Sequence, residues 1–156
     1  MEVKKALQVI AARCSRREYA SLDVIAWLQR QALTEEEVAA CMAFLREHRF
    51  VDDARFARAY ARDKSRLKRW GHLKIEQALR QKHLPNEVIA QALASIKETG
   101  ADPDTTCLQL LQQKGKWLKE TDPGKRKVKL TRFALGRGFD HETVRRAIAK
   151  LGSSPA

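Results

Sequence analysis

The fold is decided by the segment VIAWLQRQALTEEEVAACMAFL (residues 24–45), because its apolar pattern recurs twice further along the chain. The two later segments are IEQALRQKHLPNEVIAQALASI (75–96) and LTRFALGRGFDHETVRRAIAKL (130–151), and all three align without gaps. Apolar residues coincide at five aligned positions, among them the triplets Val24, Ile75, Leu130 and Val38, Ile89, Val144. We interpret the three segments as an internal repeat, since chance similarity among amphipathic helices rarely extends so far.

A helix start signal follows the same apolar position in each segment, at Thr34, Pro85 and Asp140. Thr34 and Glu37 have the spacing of a capping box. Pro85 suits the first turn of a helix, where its missing N–H costs nothing. Asp140 is a good N-cap, because its carboxylate can accept hydrogen bonds from free backbone N–H groups. Each segment therefore predicts a helix, a short turn and a second helix.

A further amphipathic helix is predicted before each segment, at 3–15, 53–68 and 104–119, from apolar residues at helical spacing such as Phe56, Tyr60 and Leu67. No strand-like alternation is present. We predict an all-α fold of nine helices, arranged as three tandem three-helix repeats in an elongated, curved helical array. The predicted repeats span 1–51, 52–99 and 104–152, and their last helices span 35–48, 86–98 and 141–151. A linker is predicted at 99–104 and a loop at 120–127.

Composition predicts a soluble globular protein that binds a polyanion or an acidic protein surface. The 156 residues are 44% hydrophobic and 32% charged, with a formal net charge of +12. Residues 1–50 contribute only +1 of that charge, whereas residues 51–100 contribute +5 and residues 101–156 contribute +6. The middle and last repeats are therefore expected to face the anionic partner.

The other compositional signals are negative. The three cysteines lie far apart without CxxC or Cys/His spacing, which favours reduced thiols and a cytoplasmic location over disulfides or a zinc site. The first 17 residues resemble an amphipathic helix more than a signal peptide, and no apolar stretch approaches the length of a membrane span. The four histidines lack a catalytic partner at a recognisable spacing, and GRGFDH (136–141) is not a phosphate loop. We expect no enzyme activity, no cofactor and no metal.

The segment from residue 49 to residue 84 carries arginines at steps of three and four residues. Arg58, Arg62, Arg66 and Arg69 are predicted on one helical face, away from a core face that contains Phe56 and Tyr60. Like charges at i, i+4 destabilise a helix by about 0.2–0.5 kcal/mol per pair, so the row indicates an anionic partner rather than a merely solvated face. The candidate contact residues are Arg55, Arg58, Arg62, Arg66, Lys68, Arg69 and Lys74, with a second cluster of Lys125, Arg126, Lys127, Lys129 and Arg132.

Asp52 and Asp53 open that segment and could be read as metal ligands. Two adjacent aspartates without further carboxylates in register make a poor metal site. Capping of the following helix is the better interpretation, because carboxylates favour a helix N-terminus. Asp53 is the predicted cap.

The run FVDDARFA (50–57), followed by Gly71, Ile75, Leu79 and Lys82, resembles the signature of the bacterial RecX family. The resemblance covers nearly the whole chain. It implies three tandem three-helix repeats and a non-enzymatic protein that binds the RecA recombinase. Separately, we expect this chain to be a monomer. Members of the family lie in the groove of the RecA filament on single-stranded DNA and usually inhibit its ATP hydrolysis, strand exchange and co-protease function. Some also bind DNA directly, which extends the expected partners to double-stranded DNA.

The motif positions Asp52, Asp53, Phe56, Gly71, Ile75 and Leu79 carry over from the family as mainly structural residues. One position departs from the family pattern: Lys82-His83-Leu84 lacks the glycine that often precedes the apolar residue in the second repeat, whereas the third repeat keeps Gly138 and the first has Ala32. A helix end at His83 must avoid or tolerate a left-handed conformation.

Two other functions remain open from the residues alone. The first is a stand-alone DNA-binding protein built from helix-turn-helix-like units, although among the last helices of the three repeats only 141–151 is clearly basic. The second is a structural adaptor for an acidic protein. Salt dependence and a requirement for the recombinase would separate these alternatives from a filament regulator.

Overall fold

The structure is a computed structural model that describes residues 1–99 and 102–153. The described residues form nine α-helices and no strand, which confirms the predicted fold class. Of the three predicted repeats, the first contains α1 (Val3–Arg16), α2 (Ser21–Gln29) and α3 (Glu35–Glu47). The second contains α4 (Asp53–Leu67), α5 (His72–Gln81) and α6 (Asn86–Glu98), and the third contains α7 (Pro103–Trp117), α8 (Pro123–Gly136) and α9 (His141–Ser153).

Two of the three predicted start signals act as side-chain caps for the last helix of their repeat. Thr34 Oγ1 accepts from the Glu37 N–H at 3.1 Å, and Glu37 Oε1 accepts from the Thr34 N–H at 2.8 Å, which completes the capping box. Asp140 Oδ1 accepts from the Thr143 N–H at 2.8 Å. Pro85 directly precedes α6 rather than lying in its first turn, and its carbonyl accepts the Ile89 N–H.

The backbone at the turn before each of these helices repeats as well. Ala32, His83 and Gly138 occupy the same aligned position and have φ angles of 62°, 58° and 97°. Each donates its N–H to the carbonyl three residues earlier. A left-handed turn therefore ends the middle helix of all three repeats, and His83 tolerates that conformation instead of avoiding it.

The described residues group into two compact units. The first contains residues 1–60 and 79–92, and in it α1 and α2 pack on α3 around a core that includes Ile10, Leu28 and Leu45. The second contains residues 61–78 and the described residues from 93 onward, and in it α7, α8 and α9 pack on one another around Leu111 and Phe139. The boundaries of three repeats at 1–51, 52–99 and 104–152 remain predictions.

A close backbone contact in the second unit explains why residue 71 is glycine. The Gly71 N–H donates to the Arg137 carbonyl at 2.7 Å, and the Leu73 N–H donates to the Gly138 carbonyl at 3.0 Å. A Cβ on Gly71 would lie 2.3 Å from the Gly138 carbonyl oxygen. Of the other motif positions, Phe56 is 7% exposed, and Ile75 and Leu79 are fully buried.

The prediction that Asp53 caps α4 is wrong. Asp52 Oδ1 accepts the Arg55 N–H at 3.1 Å and is the cap, which lowers the pKa of the Asp52 carboxyl. Asp53 Oδ1 instead accepts the Ser21 N–H at 2.7 Å, at the start of α2. The physical reason is the tertiary fold, since a free N–H 32 positions earlier in the chain competes for this carboxylate.

Other local predictions also need correction. The predicted loop 120–127 is wrong in its second half, because Asp122 caps α8 and Pro123 begins it. Within the predicted linker 99–104, Asp102 caps α7 and Pro103 begins it, while residues 100 and 101 lie outside the described residues. Leu67, predicted on the apolar face of α4, is 74% exposed because the helix ends there.

Candidate nucleic-acid interface

A row of arginines, interrupted only by the exposed Asp63, lies on the exposed side of α4. Asp52 starts the helix, and Phe56, Ala57 and Ala61 are its buried face. Arg58, Arg62 and Arg66 are exposed, and no hydrogen bond or ion pair joins them to another described residue. We call these three residues the α4 arginine row. Helical geometry sets them one turn apart, at a rise of about 6 Å per step.

Arg55 does not belong to the α4 arginine row, because its guanidinium is already bonded within the protein. Its Nε lies 2.6 Å from Glu18 Oε1, and its Nη2 donates to the Arg49 carbonyl at 2.9 Å. The side chain is 35% exposed. Arg55 therefore anchors the start of α4 to the first repeat and has little donor capacity left for a ligand.

Arg69 was predicted on the same helical face, and that prediction is wrong. The helix ends at Leu67, and Arg69 has a φ of 52°, so its side chain leaves the helical register. Its Nη1 donates to Gln113 Oε1 on α7 at 2.7 Å. The left-handed residue reverses the chain direction, which is a frequent way to end a helix.

The two remaining candidates near this turn have different surroundings. Lys68 is exposed directly after α4. Lys74 on α5 is half-buried, and its Nζ lies 4.4 Å from the centroid of the Trp70 ring, with Lys64 Nζ 5.0 Å from the same centroid. These cation–π contacts give Lys74 a partly structural role. Lys68 remains available for an anion.

The second predicted cluster lies entirely on α8, but its members point in different directions. Lys125, Lys129 and Arg132 share one exposed face at helical spacing. Lys129 Nζ lies 3.2 Å from Glu120 Oε1 and lowers the pKa of that carboxyl by hydrogen bonding. Lys127 points the other way and lines a groove of about 1270 Å³ between α7, α8 and α9, together with Arg145.

Arg126 is a structural residue of the third repeat. Its guanidinium donates to the carbonyl oxygens of Gly115, Leu118 and Glu120, at and just beyond the C-terminal end of α7. Those carbonyls lack partners within the helix, and a cation near a helix C-terminus is electrostatically favourable. Arg126 is therefore removed from the set of exposed contact candidates.

A further group of side chains was missed by the sequence reasoning. Trp117, the last residue of α7, is 78% exposed, and it lines a pocket of about 380 Å³ with Lys68 and Arg69. Lys114, Phe133 and Arg137 also line it, and we call it the basic-aromatic pocket. The only sequence signal was a tryptophan among lysines in KGKW (114–117), which helical periodicity alone does not identify.

The described residues offer little for metal or thiol chemistry. Among them, no group of three or more histidine, cysteine, aspartate or glutamate residues could hold a metal ion. Cys14, Cys41 and Cys107 are buried, and burial raises the pKa of the Cys107 thiol to about 11, so it stays protonated at neutral pH. No helix in the described part of the chain is long and apolar enough to cross a membrane.

Comparison with known proteins gives one consistent result. Residues 52–93 match the family model for the second three-helix domain of RecX, and residues 102–148 match the model for the third. A regulatory protein RecX from Chlorobaculum tepidum is 33% identical over 143 residues, which cover 92% of this chain and 83% of that protein. A regulatory protein RecX from Prosthecochloris aestuarii is 29% identical, covering 96% and 95%.

A solved structure shares the fold. The crystal structure of RecX from Lactobacillus salivarius superposes with a TM-score of 0.81 over 97% of both chains, at 15% sequence identity. At that identity the likeness concerns the helical architecture alone. It agrees with the nine helices observed in the described part of this chain.

Proposed function

This chain belongs to the RecX family of regulatory proteins, and we propose that it binds the RecA recombinase filament on single-stranded DNA and lowers its activity. The activities affected are ATP hydrolysis, strand exchange and co-protease function, and the chain acts without catalysis of its own. The protein would act in the cytoplasm, where it would control recombination, DNA repair and the SOS response. The proposal uses the resemblance to the family for the partner and the surface of this chain for the contact.

The observation that carries the proposal is the α4 arginine row. Three exposed arginines on successive turns of one helix repel one another and have no carboxylate partner among the described residues. An anionic surface that runs beside the helix would relieve this repulsion and gain charge-assisted hydrogen bonds. Lys125 and Arg132 on α8 add a second cationic face that suits an extended partner.

The alternative of a stand-alone helix-turn-helix protein has less support. Its recognition helix would be α9, which alone among the last helices of the repeats is clearly basic. Arg145 pairs with Glu142, and Arg146 Nη2 donates to Asp104 Oδ1 at 3.0 Å. Asp104 raises the pKa of Arg146 through that hydrogen bond. Arginines engaged in this way are less available to read base edges.

The test is DNA-stimulated ATP hydrolysis by RecA, measured while this protein is titrated at fixed single-stranded DNA. Direct engagement of the filament predicts inhibition well below one protein per RecA monomer, and added DNA does not reverse it. Competition for the strand predicts inhibition only near DNA saturation, and added DNA relieves it. The second outcome would replace the proposal with plain DNA binding.

Charge reversal assigns the surface. Arg62→Glu combined with Arg66→Glu should abolish inhibition, because it removes two cations and adds two anions on the proposed contact. The loss of folding stability should stay within about 1.5 kcal/mol, since one repulsive i, i+4 pair becomes attractive and the other stays repulsive, while a carboxylate at position 66, in the last turn of α4, opposes the helix dipole by about 0.3–1 kcal/mol. Circular dichroism and the melting temperature check this.

A matched control has the same net charge. Lys4→Glu with Lys5→Glu also lowers the net charge from +12 to +8, on exposed positions in the first turn of α1. Carboxylates are tolerated there, so this variant should fold and inhibit normally. Full inhibition by the Arg62/Arg66 variant, or equal loss in both variants, would reject the α4 arginine row as the contact.

A further inference from the structure

The basic-aromatic pocket contains a tryptophan ring that the protein leaves open. Each of the other two tryptophans is contacted by a cation: Trp27 lies under Arg13 at 5.2 Å, and Trp70 is contacted by two lysines. Trp117 has no such contact with any described residue, and it is 78% exposed beside Leu67, which is 74% exposed. These two exposed apolar side chains line one pocket and give a ligand an apolar surface to pack on.

The charges around this ring have one sign. Lys68, Arg69, Lys114 and Arg137 line the pocket, and none of the described carboxylates lines it. Lys114 Nζ and Arg137 Cζ lie 4.8 and 4.9 Å from the centroid of the Phe133 ring. The Gln113 amide oxygen holds Arg69 at 2.7 Å.

These contacts orient the cations without neutralising them. Rings and an amide fix the positions of Lys114, Arg137 and Arg69, whereas a carboxylate would have cancelled their charge. The pocket therefore keeps a positive potential that attracts an anionic ligand.

An unpaired nucleotide meets both requirements at once. Its base offers a flat face that stacks on an open indole, and its phosphates are anions within reach of the surrounding cations. The volume of about 380 Å³ is at the lower end for small-molecule sites, which suits one nucleotide. An acidic peptide would satisfy the cations, but its carboxylate side chains have no flat face to stack on the indole.

We propose that the basic-aromatic pocket binds one nucleotide of single-stranded DNA, with the base stacked on Trp117 and a phosphate held by Lys68 and Arg69. Lys68 follows directly after α4, so the strand would leave the pocket near the end of the α4 arginine row. This inference rests on the proposed function in one respect, the choice of single-stranded DNA as the nucleic acid. Binding of DNA in the absence of RecA tests it separately.

The experiment measures the affinity of the full chain for a fluorescein-labelled oligothymidylate by anisotropy, together with intrinsic tryptophan fluorescence. Trp117→Ala should weaken binding by about 5- to 150-fold, the range for loss of one stacked base. Trp117→Phe should bind within a few-fold of the wild type but lose the quenching of tryptophan fluorescence that stacking produces. Trp117→Leu keeps an apolar side chain without a π face and should bind about as weakly as Trp117→Ala.

The salt dependence of binding tests the phosphate contact. Each phosphate contact to a single strand contributes about 0.7 to the slope of log K against log salt concentration. Lys68→Gln should lower that slope by about 0.7, whereas Trp117→Ala should leave it unchanged. The matched control is Lys4→Gln, which removes the same charge from an exposed position on α1 and should change neither affinity nor slope.

Three outcomes would overturn the proposal. Wild-type affinity of Trp117→Ala would remove the base from this pocket. Wild-type affinity of Trp117→Leu would indicate apolar contact without stacking. Loss of RecA inhibition in Trp117→Ala with unchanged oligothymidylate binding would make the pocket a protein contact, and would leave the proposed function intact. If the Arg62/Arg66 variant inhibits RecA fully while oligothymidylate binding depends on Trp117, the pocket proposal would stand and the α4 arginine row would be rejected as the filament contact.

Discussion

Substitution of Gly71 by alanine tests the closest backbone approach in the second compact unit. A Cβ at this position would lie 2.3 Å from the Gly138 carbonyl oxygen, 2.4 Å from the Gly138 carbonyl carbon and 2.5 Å from the Phe139 nitrogen. All three are backbone atoms, so no side-chain rotation relieves the overlap. The segment before α5 must move away from the turn between α8 and α9.

The size of the effect follows from that movement. An ordinary contact distance of about 3.4 Å requires a separation of about 1 Å. Such a shift weakens or breaks the hydrogen bonds from Gly71 to Arg137 and from Leu73 to Gly138. Each bond is worth about 0.5–1.5 kcal/mol, and residual overpacking costs about 1–3 kcal/mol. A larger shift of the backbone relieves overpacking but breaks more of the hydrogen bonding, so the two costs do not add in full. We therefore expect a loss of about 2–4 kcal/mol in the free energy of unfolding.

Urea unfolding monitored by circular dichroism measures this loss. Gly136→Ala is the matched control, since the same methyl group there has nothing within 4 Å and the residue is helical. We expect that control to be neutral or to stabilise by up to about 1 kcal/mol. A free energy of unfolding for Gly71→Ala that lies within about 0.5 kcal/mol of the wild-type value would refute the close approach, because even one lost hydrogen bond should cost at least that much.

Two further predictions concern the turns that end α5 and the cap of α9. His83→Gly should raise the melting temperature by about 1–4 °C. Glycine avoids the cost of about 1–2 kcal/mol that the left-handed conformation imposes on His83, but the freer unfolded state of glycine offsets about 0.4–1 kcal/mol of this gain. His83→Ala keeps the strained backbone, so an equal gain from alanine would contradict the reasoning. The Thr143 N–H lowers the pKa of Asp140, so the charged cap stabilises the protein above pH 4, near the unfolded pKa, and this contribution is lost as pH falls through the folded pKa. The difference in melting temperature between wild type and Asp140→Asn should shrink from pH 6 to about pH 3, and a constant difference would remove Asp140 from the acid response.

Local sequence signals predicted most of the fold. Capping by Thr34 and Asp140 needs only a side chain and an N–H three residues later, so both could be read from spacing. The left-handed turn at His83 could be located from the repeat alignment, although not from the residue itself, because only a few per cent of non-glycine residues adopt that conformation, even though histidine does so more often than most. The role of Asp53 could not be predicted from local spacing, because its carboxylate accepts the N–H of Ser21, which is distant in the sequence.

The basic residues show why the interface was harder to predict than the fold. Arg55, Arg69 and Arg126 look equivalent to Arg62 in the sequence, yet each donates to an acceptor that tertiary structure supplies. Two of those acceptors are uncharged carbonyl or amide oxygens, so counting carboxylates does not reveal them. A guanidinium that binds several internal acceptors, as in Arg55 and Arg126, gains little from a ligand, and its removal harms folding, whereas Arg69 binds one neutral oxygen and keeps its charge for a phosphate. Exposed cations without an internal acceptor, such as Arg62 and Lys68, are therefore the residues at which substitution can alter partner binding while leaving the fold intact.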